Sequence, residues 1–365
     1  MSTQRKFICI DYPKLGITLC LLVLSISVIR CAVDYPATNV TPAKPNGSTK
    51  PDTSICSCTS TSPVNSTGGP GSTTNTSGAQ PTVIVDTLNG SPPHFLPNGG
   101  KFHVRVGVRL EADTIPPQAV YEYSIDNGLS WQQGQQFVLT TGGTVLTRFR
   151  VGDKVSRSRA ATFNLYFERV LIIGNSIMSH APDPSIGWFN FNGMAASAPE
   201  KDFVHILTRH LESRHTPVEV KLQSGGGFER QFGTSGYNLD EFNQPLKEFK
   251  PDLIIVRIGE NVDEGQVAVR NFEKQFSQLL ERLTSYNQPV KIICTTSVWV
   301  RPQTDDIIRK VTTEKSHSLV DLKCMVGQGQ YFASQYQNSG VAAHPNDVGM
   351  QRIADLLWTE ISNVP

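Results

Sequence analysis

The chain has 365 residues and a formal net charge of +1 at pH 7. That balance excludes a function built on strong charge, such as nucleic-acid binding. The length holds two ordinary domains plus further segments. The 29 Gly and 23 Pro are unevenly spread, and the most polar stretch lies near the N-terminus.

Residues 1–32 read as a signal peptide or membrane anchor. Arg5, Lys6 and Lys14 precede the apolar run "LGITLCLLVLSISVI", and Arg30-Cys31 follows. The run is short for a spanning helix, which needs roughly 20 apolar residues, and suits a signal core better. Acylation at Cys31 is a third alternative, although Arg30 stands where such a cleavage site wants a small residue. Each alternative implies an exported chain, extracellular or periplasmic, with a membrane tether in two of the three.

Residues 33–81 are rich in Ser, Thr, Pro, Gly and Asn and almost lack large apolar side chains. Such a segment cannot bury a core and reads as a disordered linker. The seven cysteines form no disulfide framework in a chain this long. Cys294 and Cys324 lie in apolar runs and read as small buried hydrophobes in preference to the alternative, a bridge. No Cys/His spacing matches a zinc site.

From 82 to 166 the texture becomes short alternating runs: "PTVIVDTL", "KFHVRVGVRL", "AVYEYSID", "QQFVLTT", "TVLTRFRVG" and "AATFNLYF". Turn residues such as "PNGG", "DNG" and "TGG" separate them. Regular short strands with this punctuation predict a small β-sandwich of immunoglobulin-like type. The stretch "YSIDNGLSWQQ" resembles a strand-turn-strand of secreted bacterial Ig-like modules. A spacer and a carbohydrate-binding module are both compatible with it.

From 167 to 365 the period changes again. Apolar, β-branched runs ("RVLIIG", "PVEVKL", "DLIIVRIG", "VKIICTTS", "SLVDL") alternate with amphipathic segments at 202–214, 267–286, 305–316 and 347–361. Continuous apolar strands alternating with helices predict a parallel five-stranded sheet covered on both faces, a three-layer α/β/α domain. Ligands of such sheets bind outside the carboxyl ends of the strands. Three polar groups fall there: Gly174-Asn175-Ser176, the Gly225-Gly226-Gly227 run and Gly259-Glu260-Asn261. His344-Pro345-Asn346-Asp347 opens the last helix.

The order and spacing of "GNSI", "GENV" and "HPND" resemble the first, third and fifth blocks of the SGNH (GDSL-like) hydrolase superfamily. The resemblance covers about 168–363 and implies a flavodoxin-like fold needing no metal or organic cofactor. It makes Ser176 the nucleophile and His344 the base. A serine hydroxyl attacks an ester only when a base takes its proton. The oxyanion hole would comprise the Ser176 N–H, the Asn261 amide and one N–H of the Gly225–Gly227 run, for which we take Gly226. Asn346 is a plausible N-cap, and the positive end of that helix would keep His344 neutral.

One departure stands out. The superfamily places an Asp three residues ahead of the histidine, and here that residue is Val341. A backbone carbonyl, Asp347 or an acid from another loop must then orient His344, and a Ser–His dyad is the preferred reading. Arg257 either lines the substrate site or pairs with Glu260. Trp188, with Phe189 and Phe191, either walls the site or covers the domain. Ser197 and Glu200 fit a capping box for the helix that follows. The function implied is removal of O-acetyl or other acyl groups from carbohydrate, the substrate being an acylated carbohydrate or another small ester. The competing reading is a non-catalytic cell-surface glycan-binding or adhesion protein that keeps the fold.

Overall fold

The computed structural model describes residues 7–12, 17–22, 88–286 and 289–362. Residues 1–54 and 55–365 are separate units. In the first, strands Phe7–Tyr12 and Ile17–Leu22 pair antiparallel. The rest of the expected export segment, the 33–81 linker and residues 82–87 lie outside the described residues. No described helix is long and apolar enough to cross a membrane.

Within the second unit, residues 94–166 form two β-sheets around one apolar core. Strands His94–Leu96, Val106–Glu111 and Gln136–Leu139 make the smaller, antiparallel sheet. The larger runs in the order Gly100–His103, Arg159–Tyr166, Gly143–Val151, Val120–Ser124 and Gln132–Gln133. Its first pair is parallel and the others are antiparallel. Alternation decides what faces inward: Val106, Val108 and Leu110 are buried while Gly107 and Arg109 between them are exposed. They meet Val145, Phe163 and Leu165 of the opposing sheet.

The following residues build an α/β domain. Its strands are β1 (Arg169–Gly174), β2 (Glu219–Ser224), β3 (Leu253–Val256), β4 (Lys291–Thr295) and β5 (Ser318–Val320). Its helices are α1 (Phe203–Arg214), α2 (Gly226–Gln231), α3 (Phe272–Thr284), α4 (Pro302–Glu314), α5 (Ser339–Ala342) and α6 (Asp347–Ser362). The sheet is parallel throughout in the order β2-β1-β3-β4-β5, the flavodoxin-like order with its switch point beside the first strand.

Period-2 alternation divides the apolar strand residues between two cores. Val170 and Ile172 of β1 pack with α1 and α6. Leu171 and Ile173 pack on the opposite face with α3 and α4. All four are at most 1% exposed, and each contributes about 1.5–3 kcal/mol through burial. This is the three-layer arrangement expected above.

Asp252, just before β3, ties the β-sheets to this domain. Its carboxylate accepts the Glu168 and Arg169 N–H groups at 2.8 and 3.0 Å, and His103 Nε2 lies 2.7 Å from it. Helix α1 departs from its expected start. Its N-cap is Asp202, whose carboxylate accepts the His205 N–H at 2.8 Å, so Ser197 and Glu200 form no capping box. Cys294 is free and buried. Cys324 is disulfide-bonded, in contrast to its reading as a simple buried hydrophobe.

Candidate active site

Strand β1 delivers Ser176 into the turn that follows it. The Asn175 carbonyl accepts the N–H groups of Met178 and Ser179 at 2.9 and 3.2 Å, reversing the chain at once. The reversal needs glycine at 174, because a Cβ there would lie 2.8 Å from the Met178 Cβ. Asn175 and Ile177 are buried, and Ser176 between them is half-buried. Its Oγ lies 2.7 Å from His344 Nε2.

His344 sits on the connection between α5 and α6, a segment brought back over the sheet. Its own carbonyl accepts the Ala333 N–H at 3.0 Å, and its N–H donates to the Val341 carbonyl at 3.0 Å. The imidazole Nδ1 lies 2.7 Å from the Gly340 carbonyl oxygen. A carbonyl can only accept, so this contact places the ring proton on Nδ1 and leaves Nε2 as acceptor for the Ser176 hydroxyl. The short helix α5 aims that carbonyl, and Asn338 caps it by accepting the Val341 N–H at 3.1 Å. Trp299 meets the imidazole edge to face at 5.5 Å and donates its Nε1–H to the Ala343 carbonyl at 2.8 Å.

Burial pushes the His344 pKa down to about 4. The Gly340 carbonyl and the Glu260 charge act in the other direction but do not outweigh desolvation. The imidazole is therefore neutral at pH 7, as expected, but burial rather than the helix end is the chief cause. Asn346 does cap α6, accepting the Gly349 N–H at 3.0 Å.

One expectation about the surroundings of His344 needs correction. Asp347 is not its orienter: the carboxylate accepts the Ser197 N–H and hydroxyl, each at 2.7 Å, and pairs with Lys201 at 3.0 Å. As the first residue of α6 it is directed to those groups, and Gly340 occupies the Nδ1 side of the ring. Val341, the residue three ahead of the histidine, is fully buried in a small apolar cluster with Trp188, Met194, Ala195 and Ala333.

The other side of the cleft is held by a buried polar network. Glu229 on α2 is fully buried. Its Oε1 accepts Asn175 Nδ2 at 3.0 Å, the Gly259 N–H at 2.8 Å and the Asn261 N–H at 3.2 Å. Its Oε2 accepts Asn261 Nδ2 at 2.8 Å. Gly259 has φ +137°, a conformation that glycine alone adopts readily, and this lets the loop after β3 turn its N–H groups toward that carboxylate. Burial and then the charge of Glu260 push the Glu229 pKa up, partly offset by these donors.

Beside it, Arg257 donates to Glu260 Oε1 at 2.8 Å, both side chains being at most 1% exposed. Burial would raise the Glu260 pKa, but Arg257, the Asn175 amide and the Val298 N–H overcome it and hold the carboxyl below its usual range. Arg257 is thus the internal partner of Glu260 and does not line a substrate site, because a guanidinium with no exposure cannot reach one.

Of the three glycines after β2, Gly225 has its N–H committed to the Gly174 carbonyl at 2.7 Å. The Gly226 N–H makes a longer contact, 3.3 Å, to Ser224 Oγ. Trp188 is 1% exposed and donates to the His180 carbonyl at 3.2 Å, so it covers the domain rather than walling a site. Phe189 and Phe191 of the same loop are exposed.

Sequence reasoning missed Glu229 and Trp299, and it offered a backbone carbonyl as orienter of His344 without naming Gly340. An acid next to the apolar Phe228 at the head of α2 was a usable signal for the first. A tryptophan in the loop after β4 was a weaker one for the second. The carbonyl has no residue-type signature.

No protein-family profile and no curated protein sequence matches the chain. Solved structures do. A psychrotrophic esterase from Pseudoalteromonas sp. is 14% identical, with 53% of this chain and 96% of that one covered and a TM-score of 0.37. A family two carbohydrate esterase from Clostridium thermocellum, in complex with cellohexaose, is 15% identical over 67% of this chain and 85% of that one, TM-score 0.37. A carbohydrate esterase family 2 enzyme with a carbohydrate binding domain, from Corynascus thermopiles (Myceliophthora fergusii), is 12% identical over 71% and 90%, TM-score 0.35.

Proposed function

We propose that the chain is a serine ester hydrolase of the SGNH type, working through a Ser176–His344 dyad. One observation carries this reading: the Ser176 Oγ to His344 Nε2 approach of 2.7 Å, with Nδ1 tied to the Gly340 carbonyl. Ser176 Oγ attacks the ester carbonyl carbon while its proton passes to His344 Nε2. The tetrahedral oxyanion takes hydrogen bonds from the Ser176 N–H, the Gly226 N–H and the Asn261 Nδ2. As the intermediate collapses, the C–O bond to the alcohol breaks and the imidazolium returns its proton to the leaving oxygen. Water, deprotonated by the same nitrogen, then attacks the acyl-enzyme, releasing the acid and restoring Ser176.

The Gly340 carbonyl takes the orienting role that a carboxylate fills elsewhere in the superfamily. It fixes the tautomer but stabilises the transient imidazolium less than a charge would. The non-catalytic alternative drew its support from the missing Asp, and a neutral acceptor at Nδ1 removes most of that support.

The substrate class is an O-acyl, in particular O-acetyl, group on carbohydrate. The exposed Phe189 and Phe191 and the half-buried Trp299 favour it, since aromatic faces suit sugar rings. The N-terminal segment, read as export signal or anchor, and the 33–81 linker complete a surface-tethered enzyme, with residues 82–166 as an immunoglobulin-like spacer.

The test is turnover of p-nitrophenyl acetate and of acetylated polysaccharide by the full chain, with Ser176→Ala as control. Release by the wild type and none above background by the variant is expected. Equal inertness of the two on both substrates would overturn the reading.

A further inference from the structure

We propose that Glu229 is a positioning residue for ester hydrolysis, orienting the Asn261 amide as an oxyanion donor from beneath the cleft. This rests on the serine-esterase reading and adds to it a residue that no superfamily block supplied.

A side-chain amide is ambiguous as a donor, because rotating it by half a turn exchanges nitrogen for oxygen. At Asn261 the exchange would present the amide oxygen to an oxyanion and abolish its use. Glu229 removes the ambiguity. Its Oε2 lies 2.8 Å from Asn261 Nδ2, and a carboxylate accepts from nitrogen but repels oxygen. One Nδ2 hydrogen is thereby spent on Glu229, leaving the second for substrate. The same carboxylate fixes the backbone of that loop through the Gly259 and Asn261 N–H groups. It also reaches the nucleophile turn through Asn175 Nδ2. Four donors from two loops converge on one buried side chain with no exposure to substrate, so Glu229 acts only through the groups it holds.

A glutamine keeps the shape of Glu229 but must turn an NH2 group toward one of those donors. The test is a double-mutant cycle on p-nitrophenyl acetate with wild type, Glu229→Gln, Asn261→Ala and the double variant. Melting curves check the fold of each. Loss of an oxyanion donor in Asn261→Ala lowers kcat by about 100- to 1000-fold. Glu229→Gln is expected to lower kcat by about 10- to 100-fold with KM changed less than about twofold, the pattern of an interaction made in the transition state.

In the Asn261→Ala background the same substitution should cost less than about threefold, because the group it orients is gone. If Glu229→Gln does not fold, Glu229→Asp, which retains the acceptor charge, enters the cycle in its place with the same expectation. Losses that simply multiply, or a Glu229 variant with full kcat, would overturn the inference while leaving the esterase reading intact. A wild type with no Ser176-dependent turnover would overturn both.

Discussion

The two sides of the cleft are built from different materials. The nucleophile turn and the Asn261 amide rest on buried charged-type side chains: Glu229 under Asn175 and Asn261, and the Arg257–Glu260 pair beside them. The base rests on neutral groups: a backbone carbonyl, the edge of Trp299 and the apolar cluster beneath Val341. The difference follows from what each side must do. Donors to a developing anion work best when fixed in advance, and charge-assisted hydrogen bonds fix them firmly. A base must be neutral at rest, and a carboxylate against its Nδ1 would raise its pKa and load it with a proton at a higher pH.

The comparison can be broken from either side. The largest effect is expected from Arg257→Ala, which strands Glu260 without a counter-charge. Unfolding by urea should show a loss of about 3–5 kcal/mol, as for other broken buried pairs. A loss under about 1 kcal/mol would mean that the ionic side is no firmer than the neutral one.

The pH profile of kcat/KM sharpens the contrast next. Protonated His344 cannot accept the Ser176 proton, so activity is lost as pH falls through the pKa of the free enzyme's base. The acid limb should have its midpoint at about 4, well below the ordinary histidine value of about 6.5. A midpoint near the ordinary value would show that a charged group supports the ring.

Smaller still is the effect of Asn338→Ala, which removes the cap of the turn that aims the Gly340 carbonyl. A loss of about 1 kcal/mol in stability is expected from the cap, with a several-fold lower kcat. Unchanged kcat would remove Gly340 from the site. Least of all should come from Asp347→Asn. Its partners are Ser197 and Lys201, so kcat should change less than about twofold, as for surface substitutions away from the chemistry. A drop of several hundredfold would restore a carboxylate orienter and end the dyad.

Much of this was legible in the sequence where side-chain type decides the outcome. The runs "RVLIIG" and "DLIIVRIG" read as strands covered on both faces; Ser176 and Asn261 each follow the strand that the pattern assigns, and His344 precedes the last helix. Legibility failed where the decisive group is backbone or where two side chains compete for one role. The Gly340 carbonyl could have been supplied by any residue. Asp347 had the right chemistry and place in the chain, but its carboxylate is satisfied by Ser197 and Lys201. Trp188 and Trp299 are the same residue type near the same cleft, and only packing sets one in the Val341 cluster and the other against His344.

The central claim, a Ser176 activated by His344 without a carboxylate, is tested most directly by covalent labelling with a phosphonate ester followed by peptide mass spectrometry. The dyad predicts one adduct per chain, on Ser176, absent in Ser176→Ala, strongly slowed in His344→Ala and formed at the wild-type rate in Asp347→Asn. No adduct on Ser176 in the wild type, or labelling of Ser176 that is indifferent to His344, would contradict it.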